Sequence, residues 1–197
     1  MKTTSVSLLL ILFALFSCNS KEISEDQSVS FGIYETVKFG ELPAHALDSL
    51  KVTTIHFESD PQSPVIGYLP KSDPGLPDDL FTTEGIRLLK AIFPVDQEGQ
   101  NLAVIAVNHK PAIVLSDIQK TKNNGRNVQI YLTLKGAKKL ADLTKKNTGK
   151  SIAIAVDDIV YSMPMVNGVI KGGVAMISGL ESETMAKELS DRLNKAL

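Results

Sequence analysis

Among its 197 residues the chain has no tryptophan, a single cysteine and only three histidines. One cysteine, Cys18, excludes any disulfide within the chain, so stability has to come from a packed core. His45, His56 and His109 do not stand at metal-ligand spacing with one another or with Cys18. No Gly-x-Ser-x-Gly elbow is present. The fragment "NTGKS", Asn147 to Ser151, ends like a phosphate loop, but Thr144 stands where the loop needs glycine. It also leads from helix to strand, the reverse of the order a phosphate loop uses. No apolar stretch reaches the ~20 residues that span a bilayer. These absences point away from an enzyme. No catalytic residue, cofactor, metal or nucleic-acid partner is expected, and the oligomeric state is not legible. The competing reading is an extracytoplasmic hydrolase or small-ligand binder with its site in residues 31–100, drawing on His45, His56, Glu58 and Asp60.

What the chain does have begins at its start. "MKTTSVSLLLILFALFSCNSKE" carries one charge, Lys2, before residue 21. Its apolar run, Val6 to Phe16, is too short to cross a bilayer and suits the apolar region of a secretory signal. The run ends in "LFSC", which resembles a bacterial lipobox; Phe16 is bulkier than the residue usual there. That resemblance implies cleavage between Ser17 and Cys18, a signal peptide over 1–17, and lipid (palmitate among the acyl chains) on Cys18. More than one acyl chain is needed for stable anchoring. Asn19 after the cysteine resembles the outer-membrane class more than the inner. The expected location is the periplasmic side of a membrane, held by lipid. "NSKEISEDQSVS", Asn19 to Ser30, is polar and aperiodic, and reads with Cys18 as a tether. Fully extended it reaches at most about 40 Å.

From Phe31 the pattern is that of a folded body. Strands are expected at "FGIYETV", "VTTIHFE", "PVIGYL", "LAVIAV", "PAIVL", "NVQIYLTL", "SIAIAV", "IVYSM" and "VAMIS". Helices are expected at "LPAHALDSLK", at "TTEGIRLLKAIFP" from about Thr82 to before Pro94, near 135–148, and near 182–196. "SDIQKT" reads as a short helical turn. The loops "LPKSDPGLPDD" and "DQEGQN" divide the chain, the second suggesting a boundary between a module at 31–100 and one at 101–197. Strands and helices mix without a regular βαβ repeat, which predicts an α+β fold, a mostly antiparallel sheet with helices packed on it.

Charge is uneven. Residues 22–100 carry 14 acidic and 5 basic side chains, and residues 101–197 carry 8 acidic and 14 basic. On the helix near 135–148, Ala137, Leu140, Ala141 and Thr144 share one face. Lys135, Lys138, Lys139, Asp142, Lys145 and Lys146 share the other. Those lysines are a candidate partner-binding face, with a solvated surface as the plainer reading. In "IAIAVDDIVYSMPMV", Asp157 and Asp158 interrupt an apolar run. A two-residue gap between alternating strands signals a hairpin turn. A calcium site would need further oxygen ligands at alternating positions, which are lacking here.

Several segments, taken in order, resemble the periplasmic P1 head subdomain of SecD and fused SecDF, accessory components of the Sec translocase. "NHKPAIVLSDIQ" comes first. Gly136-Ala137 then opens a helix running into "LT" and "N-x-GK". After "IAV" and the turn Asp come Ser162 to Pro164, Asn167, Ile170, Gly172-Gly173 and Ile177-Ser178-Gly179, before a closing amphipathic helix. The resemblance covers roughly residues 108–197; the family usually has Asp-Gly at the turn. It implies a domain that contacts exported polypeptide or Sec components and is linked to protein export. Proton-driven movement in that family depends on transmembrane parts, so only the binding role is expected here. No family resemblance is drawn for residues 31–100.

Overall fold

The computed structural model describes residues 28–44, 56–57, 60–72, 85–94 and 101–197. The expected signal peptide, Cys18 and most of the expected tether, His45, Glu58 and most of the helix expected at "LPAHALDSLK" lie outside them.

The strands are β1 (Phe31–Glu35), β2 (His56–Phe57), β3 (Val65–Pro70), β4 (Ile86–Pro94), β5 (Asn101–Asn108), β6 (Ile113–Val114), β7 (Ile118–Asn124), β8 (Asn127–Leu132), β9 (Ile152–Val156), β10 (Ile159–Ser162) and β11 (Val174–Ile177). The helices are α1 (Leu134–Lys146) and α2 (Glu183–Lys195). Eight strands form one sheet in the order β2-β3-β5-β4-β10-β9-β1-β6, and three form a second, β11-β8-β7. Pairing is antiparallel except between β10 and β4. The fold is α+β, as the mixed pattern predicts.

The large sheet is apolar on both faces in its middle. In β9, Ile152, Ile154 and Val156 join one cluster, and Ala153 and Ala155 join another on the opposite side. The isoleucine side faces the three-stranded layer and both helices. There Ile33, Ile113, Ile130, Leu140, Ile177, Leu189 and Leu193 form the largest core cluster. Thr133 caps α1 by accepting a hydrogen bond from the Gly136 N–H, and Ser182 caps α2 by accepting one from Met185. The helices expected near 135–148 and 182–196 are present within two residues of their expected ends.

Two expected elements are corrected. The segment from 82 to 94 is no helix over its described part: Ile86–Pro94 is strand β4. Ile86 and Leu88 face one cluster while Leu89 and Ala91 face another. A strand buried on both faces loses its alternation, and residues such as Ile86, Leu89 and Phe93 then mimic helical spacing. "SDIQKT" holds a 3-10 turn only at Leu115–Asp117, and then β7 begins. The register of β7 slips between Ile118 and Lys120. The slip brings Ile118 and Thr121, three apart, to the same buried face, again a helical signature. The boundary drawn at residue 100 falls between β4 and β5, which pair with each other. The sheet runs across it.

Candidate functional site

The aspartate pair forms the turn of the β9–β10 hairpin. Ile159 is paired with Val156 across it, and both aspartates take positive φ, 48° at Asp157 and 63° at Asp158. That combination is the primed turn whose twist suits a tight hairpin. The carboxylates diverge. Asp157 accepts a hydrogen bond from the Ser30 N–H at 2.8 Å and pairs with Arg192 of α2. Asp158 pairs with Arg87 of β4 at 2.6 Å. The turn therefore ties the large sheet, the last helix and the start of the folded body together. Sequence reading found the turn but not the two arginines, which are distant in the chain.

The lysine face divides. Lys135, Lys138 and Lys145 are exposed along α1. Lys139 bonds to Asp117 at 2.6 Å, and Lys146 to Glu35 at 2.9 Å. Two of the five candidate lysines thus hold the helix to neighbouring elements. Asp117 is 2% exposed. Its Oδ2 also accepts from the Val114 N–H at 3.1 Å. Burial pushes its pKa up, but the Lys139 hydrogen bond, the Val114 N–H and the Lys139 and Lys135 charges outweigh it and hold the carboxyl below its usual range. Gly136 fits against it: a Cβ there would sit 2.5 Å from the Asp117 carbonyl oxygen. Of the groups named for a hydrolytic site, Asp60 is exposed and its carboxylate accepts from the Gln62 N–H, closing a turn.

The three-stranded layer presents a surface the sequence reading did not single out. Its inner face, with Val128, Ile130, Ala175 and Ile177, is buried. The outer face is open. Register places Val174 beside Tyr131 and Tyr131 beside Lys120 in one row; Met176, Gln129 and Lys122 form the next. Val174 is 36% exposed and Met176 46%. The Lys120 and Lys122 ammonium groups lie 5.2 and 6.0 Å from the Tyr131 ring centre. The alternation Val-Ala-Met-Ile in β11 is a signal that marks two outward apolar side chains. The arrangement offers apolar, aromatic and cationic groups on an open strand surface. No described helix is long and apolar enough to cross a membrane.

A family model described as SecDF, P1 head subdomain, matches residues 91–196. The chain is 41% identical over 63 residues to protein translocase subunit SecDF of Thermus thermophilus, covering 32% of this chain and 9% of that protein. It is 34% identical over 113 residues to protein translocase subunit SecD of Rhodothermus marinus, covering 53% of this chain and 18% of that protein. It therefore spans less than a fifth of either relative. A crystal structure of SecDF in a super-membrane-facing form superposes with a TM-score of 0.48 at 21% identity, over 85% of this chain and 19% of that one.

Proposed function

The chain belongs to the SecDF P1 head subdomain family, and on that basis we propose that it serves protein export as a non-catalytic domain that binds polypeptide. The observation that carries this reading is the match over residues 91–196, which encloses the whole three-stranded layer. The open face of that layer supports it. A flat surface of Val174, Met176, Tyr131 and lysines suits a chain without fixed side-chain geometry better than it suits a small molecule, which calls for a concave site. The partners in this reading are exported polypeptides and components of the Sec translocase.

The protein acts from a membrane surface on the periplasmic side, the outer membrane in preference to the inner, held by lipid on Cys18. The short apolar run ending in "LFSC" supports that placement. The tether meets the folded body at Ser30, whose N–H and C=O both bond to Asp157. Residues 19–30 let the body reach about 40 Å from the lipid. The test is crosslinking in native membranes followed by capture of the protein and identification of what comes with it. Enrichment of unfolded exported chains or Sec components is expected. Their absence at crosslinking yields that capture other envelope neighbours contradicts the reading.

A further inference from the structure

The two edges of the three-stranded sheet are treated differently. At the β7 edge, the Asn194 side chain of α2 bonds both ways to Thr121. Its Oδ1 accepts from the Thr121 N–H at 2.7 Å, and its Nδ2 donates to the Thr121 C=O at 3.1 Å. An amide placed this way occupies the groups a further strand would use. The Thr121 hydroxyl is itself tied to Ser190 of the same helix. So the β7 edge is closed by α2.

The β11 edge has no such cover. The Leu132 N–H donates to the Gly173 C=O, and the antiparallel register then alternates. Ala175 and Ile177 turn their backbone groups toward β8, whereas Val174 and Met176 turn theirs outward. No described group outside the sheet bonds to those outward positions. The strand carries none of the charges, prolines or bulges that usually blunt an open edge. Its side chains on the open face are apolar, and the cations nearby, Lys120, Lys122 and, just before the strand, Lys171, are exposed. None of the three has a carboxylate partner among the described residues.

We propose that β11 accepts an extended, net-acidic polypeptide segment with apolar side chains at alternate positions, which pairs with the outward groups of Val174 and Met176 as a fourth strand. The proposal rests on the polypeptide-binding reading above and specifies where and how it occurs. Backbone pairing makes the site indifferent to most of the partner's sequence, which suits unfolded chains, and alternate side chains meet Val174 and Met176. Three interstrand spacings of ~4.8 Å put a fourth strand about 14 Å from β7, beyond the ~8–10 Å Debye length of physiological salt but within the ~30 Å of 0.01 M salt, so the preference for acidic segments is a long-range one that appears at low salt. The unpaired backbone selects a strand rather than a helix as occupant, and the cationic rows select its charge.

The test uses the whole chain and a fluorescent ten-residue peptide of alternating valine and glutamate, read by anisotropy. Met176→Pro removes the outward N–H and leaves the β8 pairing groups in place. It should weaken binding about fivefold to tenfold, the scale of one or two backbone hydrogen bonds, with circular dichroism unchanged. The same peptide N-methylated at alternate positions should bind more weakly by a similar factor, a control that leaves the protein untouched. A valine–lysine peptide should bind less tightly than valine–glutamate at low salt, and the gap should close as salt rises. Equal binding of the N-methylated peptide, or no preference between the acidic and basic peptides at low salt, overturns the proposal. So does a peptide-free dimer of the whole chain that Met176→Pro dissociates, which would make a second copy the occupant of the edge. If Met176→Pro is folded and still captures exported chains in native membranes at the parent level, the edge is refuted while the polypeptide-binding reading stands.

Discussion

Replacing Asp117 by alanine probes the contact that seats α1. The carboxylate is buried and accepts two hydrogen bonds, one from the Lys139 ammonium at 2.6 Å and one from the Val114 N–H at 3.1 Å. Alanine strands the Val114 N–H and frees Lys139, whose side chain is 34% exposed and can regain water. Removing a partner from a fully buried pair costs about 3–5 kcal/mol; with one partner half in water, the expected loss is about 2–3 kcal/mol at pH 7. The backbone bond from Thr133 to the Asp117 carbonyl is retained, so the turn itself survives. Because the folded-state pKa lies below the usual carboxylate value, this contribution is complete above about pH 4 and disappears as pH falls through the folded pKa. Urea unfolding of parent and Asp117→Ala should be followed by far-ultraviolet circular dichroism, since the chain has no tryptophan. The gap between them should narrow from pH 7 toward pH 3. A gap under about 0.5 kcal/mol at pH 7 would show that Asp117 does not hold α1. One unchanged at pH 3 would refute the electrostatic origin.

Further perturbations bear on other parts of the structure. Leu140→Ala and Leu189→Ala, at side chains 0% and 3% exposed, should each cost about 2–5 kcal/mol in urea unfolding; losses below about 0.5 kcal/mol at both would mean the helices do not pack on this core. Asp158→Gly should change stability by less than about 1 kcal/mol, because relief of the positive φ is offset by loss of the exposed Arg87 pair. A thermal melt showing a large calcium-dependent stabilisation in the parent, absent in Asp158→Gly, would overturn the turn assignment. Gly173→Ala should destabilise by at least about 1 kcal/mol, since φ is +66° and the new Cβ would meet the Ala137 Cβ at 2.8 Å; an unchanged melting temperature would contradict that packing. Cys18→Ser should leave the precursor uncleaved or release the protein from membranes, and a processed, membrane-bound mutant would remove the lipid anchor from the account.

The parts of the fold legible in the sequence are those whose pattern is local. Both helices follow from an amphipathic pattern contained within fifteen or so residues. The β9–β10 hairpin follows from alternation around a two-residue gap. What escaped was set by distant partners. β4 is covered on both sides by strands and loops far along the chain, so its alternation is erased and it imitates a helix. The slip at Ile118 does the same to β7. The candidate site shows the same division. The lysine stripe of α1 could be read from spacing, but which of its members pair depends on Asp117 and Glu35, which lie on other elements. The open face of β8 and β11 could not be assembled at all, because the order β11-β8-β7 brings together residues some fifty positions apart.

The measurement that reaches the central claim most directly is titration of the whole chain with an exported polypeptide kept permanently unfolded, alongside the same polypeptide in its folded form. Saturable binding of the unfolded chain, with little or none to the folded one, is the predicted result. No binding of the unfolded chain, or equal binding of both forms, would contradict a role in holding polypeptide during export.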